Sequence, residues 1–184
     1  MTQMKNERPE LKVNGSDQSE PRFNRTEIKE RFKLELIKVR DNFFNSANDA
    51  NSVANDAEGA MQSHSDTTKA QQSWLANALG GLGKNLDRVL ADWDVTFPKE
   101  FSDKIGLGSI VFLKELGYGD EEWFYLMPFG GGISIKIGDE EIKGLNIESV
   151  LGRNLSGGEK GQQVEYQAHP NDTEIQRFRI LEVL

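Results

Sequence analysis

The chain has 184 residues, no cysteine, and 30 acidic against 22 basic side chains, for a net charge of −8. Its length suits one or two small domains, and the lack of cysteine excludes a disulfide framework, a thiol nucleophile and cysteine-ligated zinc or iron–sulfur sites while fitting a reducing cytoplasm. Duplex-binding proteins gather Lys and Arg against phosphates, so the acidic balance disfavours free nucleic acid and favours a basic protein surface or a metal ion as partner.

Residues 1–23 are rich in Asn, Ser, Glu, Gly and Pro and show no periodic apolar face, so they read as a disordered leader. The opening "MTQMKNERPELKVNG" has no apolar core behind its charges, and no run approaches the ~20 apolar residues of a membrane span. Neither a secretory signal nor a transmembrane segment is expected. Order is predicted to start at Asn24, which with Glu27 three residues later resembles a capping box.

From there Ile28, Phe32, Leu36, Val39, Phe43, Ala47, Ala50 and Ala54 follow at spacings of three and four, one face of a long helix. The stripe tapers from Phe and Leu to Ala, which suggests a thick base and a slender far end. A second helix is expected to start at Ser65 or Asp66, with Leu75, Leu79, Leu82, Leu86, Val89 and Trp93 on its buried face and Trp74, Ala78 and Leu90 widening it. Short polar connections make consecutive helices antiparallel neighbours, so residues 24–96 read as a coiled-coil-like helical hairpin with its tip near 55–68. Gly80, Gly81 and Gly83 interrupt the second arm, each at a cost of about 1 kcal/mol relative to Ala. A kink or a close approach of the arms would account for them.

The tip is the most unusual part of the sequence. Between Arg40 and Lys69 there is no Lys or Arg, while Asp41, Asp49, Asp56, Glu58 and Asp66 fall in the same span. Ordinary exposed helices mix both signs. Asp56, Glu58 and Asp66 are therefore the candidate tip carboxylates. His64 and His169 are isolated and suggest neither a metal site nor a catalytic triad.

Pro98 closes the helical region, and strand-like runs follow at 109–116, 122–129, 132–138, 143–149, 162–168 and 174–184, with a short helical patch, "SVLGRNLSG", before the last two. Residues 102–184 therefore read as a mainly antiparallel sheet domain with one short helix. The fold class is α+β.

The segment "LNIESVLGRNLSGGEKGQQVEY…FRILEVL" resembles the end of the C-terminal domain of the GreA/GreB transcript cleavage factors. Ser149, Gly152, Arg153, Leu155 and Gly157 fall on that family's turn-and-helix pattern, followed by Gly161 and a strand from Gln162; "GSIVFLKEL" looks like its first strand. The resemblance covers roughly residues 105–184, and the inserted "GGGISIKIGDEE" and the second arm look like the divergent Gre-like members. It implies an FKBP-like sheet domain that docks on RNA polymerase, with Ser149, Val150, Leu151 and Arg153 on the partner-binding segment. It further implies a hairpin that enters the polymerase secondary channel and has no enzyme activity of its own. Tip carboxylates (here Asp56, Glu58 and Asp66) would help hold a magnesium ion shared with the polymerase during cleavage of backtracked RNA. The family's Asp-x-x-Glu-like pair would fall near Gln62 and Ser65, and its proline is Val150 here. A non-cleaving channel regulator is the nearest alternative, and an FKBP-like folding helper with a helical clasp is the alternative from a different class. The expected setting is a bacterial cytoplasm, with RNA polymerase as partner and neither sequence-specific nucleic acid nor membrane involved; the sequence leaves the oligomeric state open, a monomer being favoured.

Overall fold

The computed structural model describes residues 22–56, 64–98, 102–129, 132–167 and 175–184. Helix α1 spans Arg25–Asp56, α2 spans His64–Ala91, and a single turn, α3, spans Trp93–Thr96. Strands β1 (Ile110–Glu115), β2 (Glu121–Met127), β3 (Ser134–Ile137) and β4 (Glu140–Asn146) follow, then helix α4 (Val150–Leu155) and strands β5 (Gln163–Tyr166) and β6 (Gln176–Val183). With 32 and 28 residues the two long helices measure about 48 and 42 Å. Both extend into the segment read as tip, so the connection is confined to 57–63, outside the described residues; the leader through residue 21 lies outside them too.

Asn24 caps α1: its Oδ1 accepts from the backbone N–H of Thr26 at 3.0 Å and of Glu27 at 3.3 Å. Phe23, assigned to the leader by its composition, is instead buried. It stands edge-on to Trp123 at 4.7 Å and joins the same apolar cluster as Ile28. An apolar residue just before the cap and another at the fourth helical position form a hydrophobic staple, which sets the angle at which the chain enters the helix. Arg22, just before Phe23, pairs with Glu140.

The six strands form one sheet in the order β3-β4-β2-β1-β6-β5. All neighbours are antiparallel except β2 and β4, which run parallel. Strands β3 and β4 are joined by a two-residue hairpin, whose Gly138 at φ 60° supplies the positive φ a tight turn needs. The hairpin lays its second strand, rather than its first, against β2.

Alternation along the strands covers both faces of the sheet. Ile110, Trp123, Tyr125, Met127 and Ile142 lie under the base of the helical hairpin, in one core with Ile28, Phe32, Leu36, Leu86, Trp93 and Phe97. Val111, Leu113, Leu126 and Ile180 form the other core, closed by Leu151 and Leu155 of α4. Hairpin base and sheet are therefore built around common apolar contacts. Farther out, Ala47, Ala50 and Ala54 of α1 and Ala76 of α2 are buried, and none belongs to the core shared with the sheet. The taper of the sequence is thus a real change of packing: wide side chains where the arms sit on the sheet, alanine where they meet only each other.

The seam of α2 departs from its apolar pattern. Leu75 and Leu82, expected inside, are 39% and 42% exposed, while Ala76, Gly83 and Leu86 face α1. Helix α2 runs unbroken through its glycines. A Cβ on Gly83 would lie 2.8 Å from Cε1 of Phe44, so this glycine admits the ring between the arms. Gly80 and Gly81 have open space instead. Gly80→Ala is expected to raise stability by about 1 kcal/mol, because alanine is the better helix former and nothing resists it. Gly83→Ala should fall below it by about 1 kcal/mol or more, since the Phe44 ring must move. Urea unfolding of the two variants checks the order, and equal gains would show that Phe44 yields freely.

Candidate partner-docking surfaces

Two regions carry the residues singled out from the sequence, and they lie on different elements. The first is the turn between β4 and α4. Asn146 Oδ1 accepts from the Glu148 N–H at 2.9 Å, and the Ser149 N–H donates to the Asn146 carbonyl at 3.0 Å. Ser149 is the N-cap of α4, its Oγ accepting from the Gly152 N–H at 3.0 Å. The serine thus shapes the turn, with its hydroxyl engaged by the helix it starts. Leu151 is buried in the core below α4. Val150 and Arg153, three residues apart and both exposed, share the outer face of the helix. The chain leaves α4 through Gly157, whose φ of 79° is the left-handed conformation that suits glycine after a helix.

The second region is the outer half of the hairpin. Asp49 and Asp56 are exposed on α1, and among the described residues neither has a cationic partner. Asp56 is the last residue of α1, and that final turn contains no basic side chain. This is the reverse of what the helix dipole favours, since the partial negative charge of a helix C-terminus stabilises cations. Glu58 lies outside the described residues. Asp66 sits in the first turn of α2, where the backbone alone is described.

Near the base the charges are paired instead. Lys29 and Lys33 grip Asp94 at 3.1 and 3.0 Å, and Arg40 bridges Asp41 at 2.7 Å and Asp87 at 3.2 Å. The hydrogen bonds from Lys33 and Lys29 hold the Asp94 carboxyl below the usual carboxylate range. Among the described residues no three His, Cys, Asp or Glu side chains are grouped as a metal site. No helix among them is long and apolar enough to cross a membrane.

The aromatic run of β2 is divided between the two faces of the sheet, Trp123 and Tyr125 under the hairpin base and Phe124 against the other core. Trp123 and Tyr125 are buried, Trp123 against Phe23 and Phe112, and Tyr125 stacked on Phe32 at 5.1 Å. Burial pushes the Tyr125 phenol well above its ordinary range.

No protein-family model matches the sequence, and no curated protein matches it. Among solved structures, the transcription factor Gfh1 is 16% identical over 84% of this chain and 92% of that one, with a TM-score of 0.34. GreA factor homolog 1 (Gfh1) of Thermus thermophilus is 15% identical over 85% and 94%, with a TM-score of 0.33. The transcription elongation factor GreA/GreB of Nitrosomonas europaea is 22% identical over 55% and 78%, also with a TM-score of 0.33. At that level the likeness assigns neither family nor partner to this chain.

Proposed function

We propose that this chain is an RNA polymerase-binding factor of the GreA/GreB type, without enzyme activity of its own. It would dock through the sheet domain and present the acidic end of its hairpin to the secondary channel. The observation that carries this reading is the outer half of the hairpin. It leaves the core shared with the sheet, lacks Lys and Arg from residue 41 to 68, and closes α1 on an aspartate at the helix end where the backbone disfavours it. A chain that departs from a local stability rule at an exposed, projecting end is using that end for something other than stability. The exposed Val150 and Arg153 of α4 are the proposed docking side chains, with Ser149 and Leu151 holding their turn.

Asp56, Glu58 and Asp66 are the carboxylates proposed to approach a magnesium ion held jointly with the polymerase. Gln62 and Ser65, at the place of the family's carboxylate pair, favour occlusion of the channel over cleavage. A folding-helper reading draws no support from Trp123 and Tyr125 of β2, which are buried under the hairpin base.

Immobilised protein is expected to capture core RNA polymerase, and Val150→Asp with Arg153→Glu to weaken that capture by tenfold or more. A failure to capture polymerase would sink the proposal. On stalled elongation complexes the chain should inhibit elongation without accelerating transcript cleavage. Acceleration that Asp56→Ala, Glu58→Ala and Asp66→Ala together abolish would assign it to the cleavage factors instead.

A further inference from the structure

Helix α2 carries a second apolar face that none of the described residues covers. Trp74 is 72% exposed, Leu75 39% and Leu82 42%, with the exposed Ala78 between them. From Ala70 to Gly83 the helix contains no charged residue at all. Monomeric surfaces rarely hold a large aromatic and two leucines together on an uncharged helix face without a partner.

We infer that this face pairs with the same face of a second copy of the chain, the two α2 helices antiparallel about a two-fold axis at Ala78. The stripe is self-complementary about that residue. Residues 74 and 82 lie equally far on either side of it, as do 75 and 81. In the antiparallel pair Leu75 lies beside Leu82 of the second copy, and Trp74 covers Gly81 of the second copy. Gly81 otherwise has no account: it is exposed in mid-helix, and a Cβ there would meet nothing within 4 Å of its own chain. The absent side chain leaves the space an indole from the other copy would fill.

Charge selects the antiparallel orientation. Each hairpin is cation-free from residue 41 to 68, whereas α1 carries six basic and three acidic residues between 25 and 40. A parallel pair would set two acidic tips side by side. The antiparallel pair brings Arg88, exposed near the base of α2, level with Thr68 of the other copy, at the edge of its cation-free run. The interface rests on one stripe per copy, so reversible, concentration-dependent association is expected. A paired hairpin has its α2 face covered, so this dimer would be a state distinct from the polymerase-bound chain.

The chain lacks cysteine, and Ala78→Cys therefore introduces a single thiol on the axis. Close-packed helices 8–10 Å apart leave axial Cα atoms about 3.4–5.4 Å from each other, overlapping the range a disulfide spans. Mild oxidation of Ala78→Cys should give a covalent dimer, while Tyr118→Cys, 77% exposed in the β1–β2 turn, should not. In light scattering, Trp74→Ala should weaken dimerisation by about tenfold or more. Gly81→Gln should do the same with its helical circular dichroism intact, because its side chain occupies the place of the indole. A chain that stays monomeric at its highest soluble concentration would overturn the inference. So would Ala78→Cys that cross-links no faster than Tyr118→Cys, or a dimer indifferent to Gly81→Gln. If polymerase capture alone responds to Trp74→Ala, the face belongs to the polymerase and the dimer is wrong.

Discussion

Gly152→Ala is expected to cost about 3 kcal/mol or more, an unusually large effect for one methyl group. A Cβ at this position would lie 2.7 Å from the carbonyl oxygen of Ile147 and 2.8 Å from its Cα, with the Asn146 carbonyl closer still. All three are backbone atoms. They cannot give way separately, because the Ile147 N–H bonds the Met127 carbonyl at 3.0 Å and the Asn146 carbonyl accepts from Ser149 at 3.0 Å. Relief of the clash must lift α4 from the sheet and uncover Leu151 and Leu155. Denaturant unfolding followed by tryptophan emission reads the loss. A variant within about 1 kcal/mol of the parent would mean that the turn deforms far more easily than its hydrogen bonds imply. Because the same turn carries Val150 and Arg153, Gly152→Ala should also weaken capture of the polymerase on the proposed reading.

Phe32→Ala should destabilise the protein by about 3–5 kcal/mol, the range for deleting a fully buried aromatic ring. Phe32 projects from α1 into the sheet, stacks on Tyr125 with ring planes 14° apart, and lies over Gly144 of β4. A Cβ on Gly144 would come within 3.1 Å of the Phe32 ring and 2.8 Å of Met127 Sδ, so the strand is bare where the helix presses on it. This contact ties the hairpin to the sheet. The parent chain should therefore unfold in one transition, seen alike by helical circular dichroism and by the emission of Trp93 and Trp123. Two separated transitions in the parent would show that the helices melt on their own and that the shared core couples them less than its burial implies.

Much of the fold was legible because it is written in local periodicity. Spacings of three and four along Ile28, Phe32, Leu36 and Val39 define α1, and alternation defines all six strands to within a few residues. The cation-free tip is a matter of composition and needs no structure to be seen. What it does there is another matter: of its three candidate carboxylates, Asp56 is described with its side chain, as an exposed residue ending α1. On the proposed docking segment, Ser149 and Leu151 read from the sequence like Val150 and Arg153. A hydroxyl that caps a helix and a leucine that fills a core can look the same as contact residues until the turn is folded.

The amino-acid order by itself determined the two long helices, their taper toward the tip, the charge of that tip and the succession of strands. Each of these depends on neighbours a few residues apart. Tertiary structure decided which face of α2 meets α1, because Ala76 and Gly83 carry almost no hydrophobic signal and Phe44 on the other arm makes the seam. It decided that Phe23 belongs to the core, because its partner Trp123 lies a hundred residues away. It also set β4 parallel to β2, since a hairpin can lay either of its strands against a sheet edge and local sequence does not choose between them.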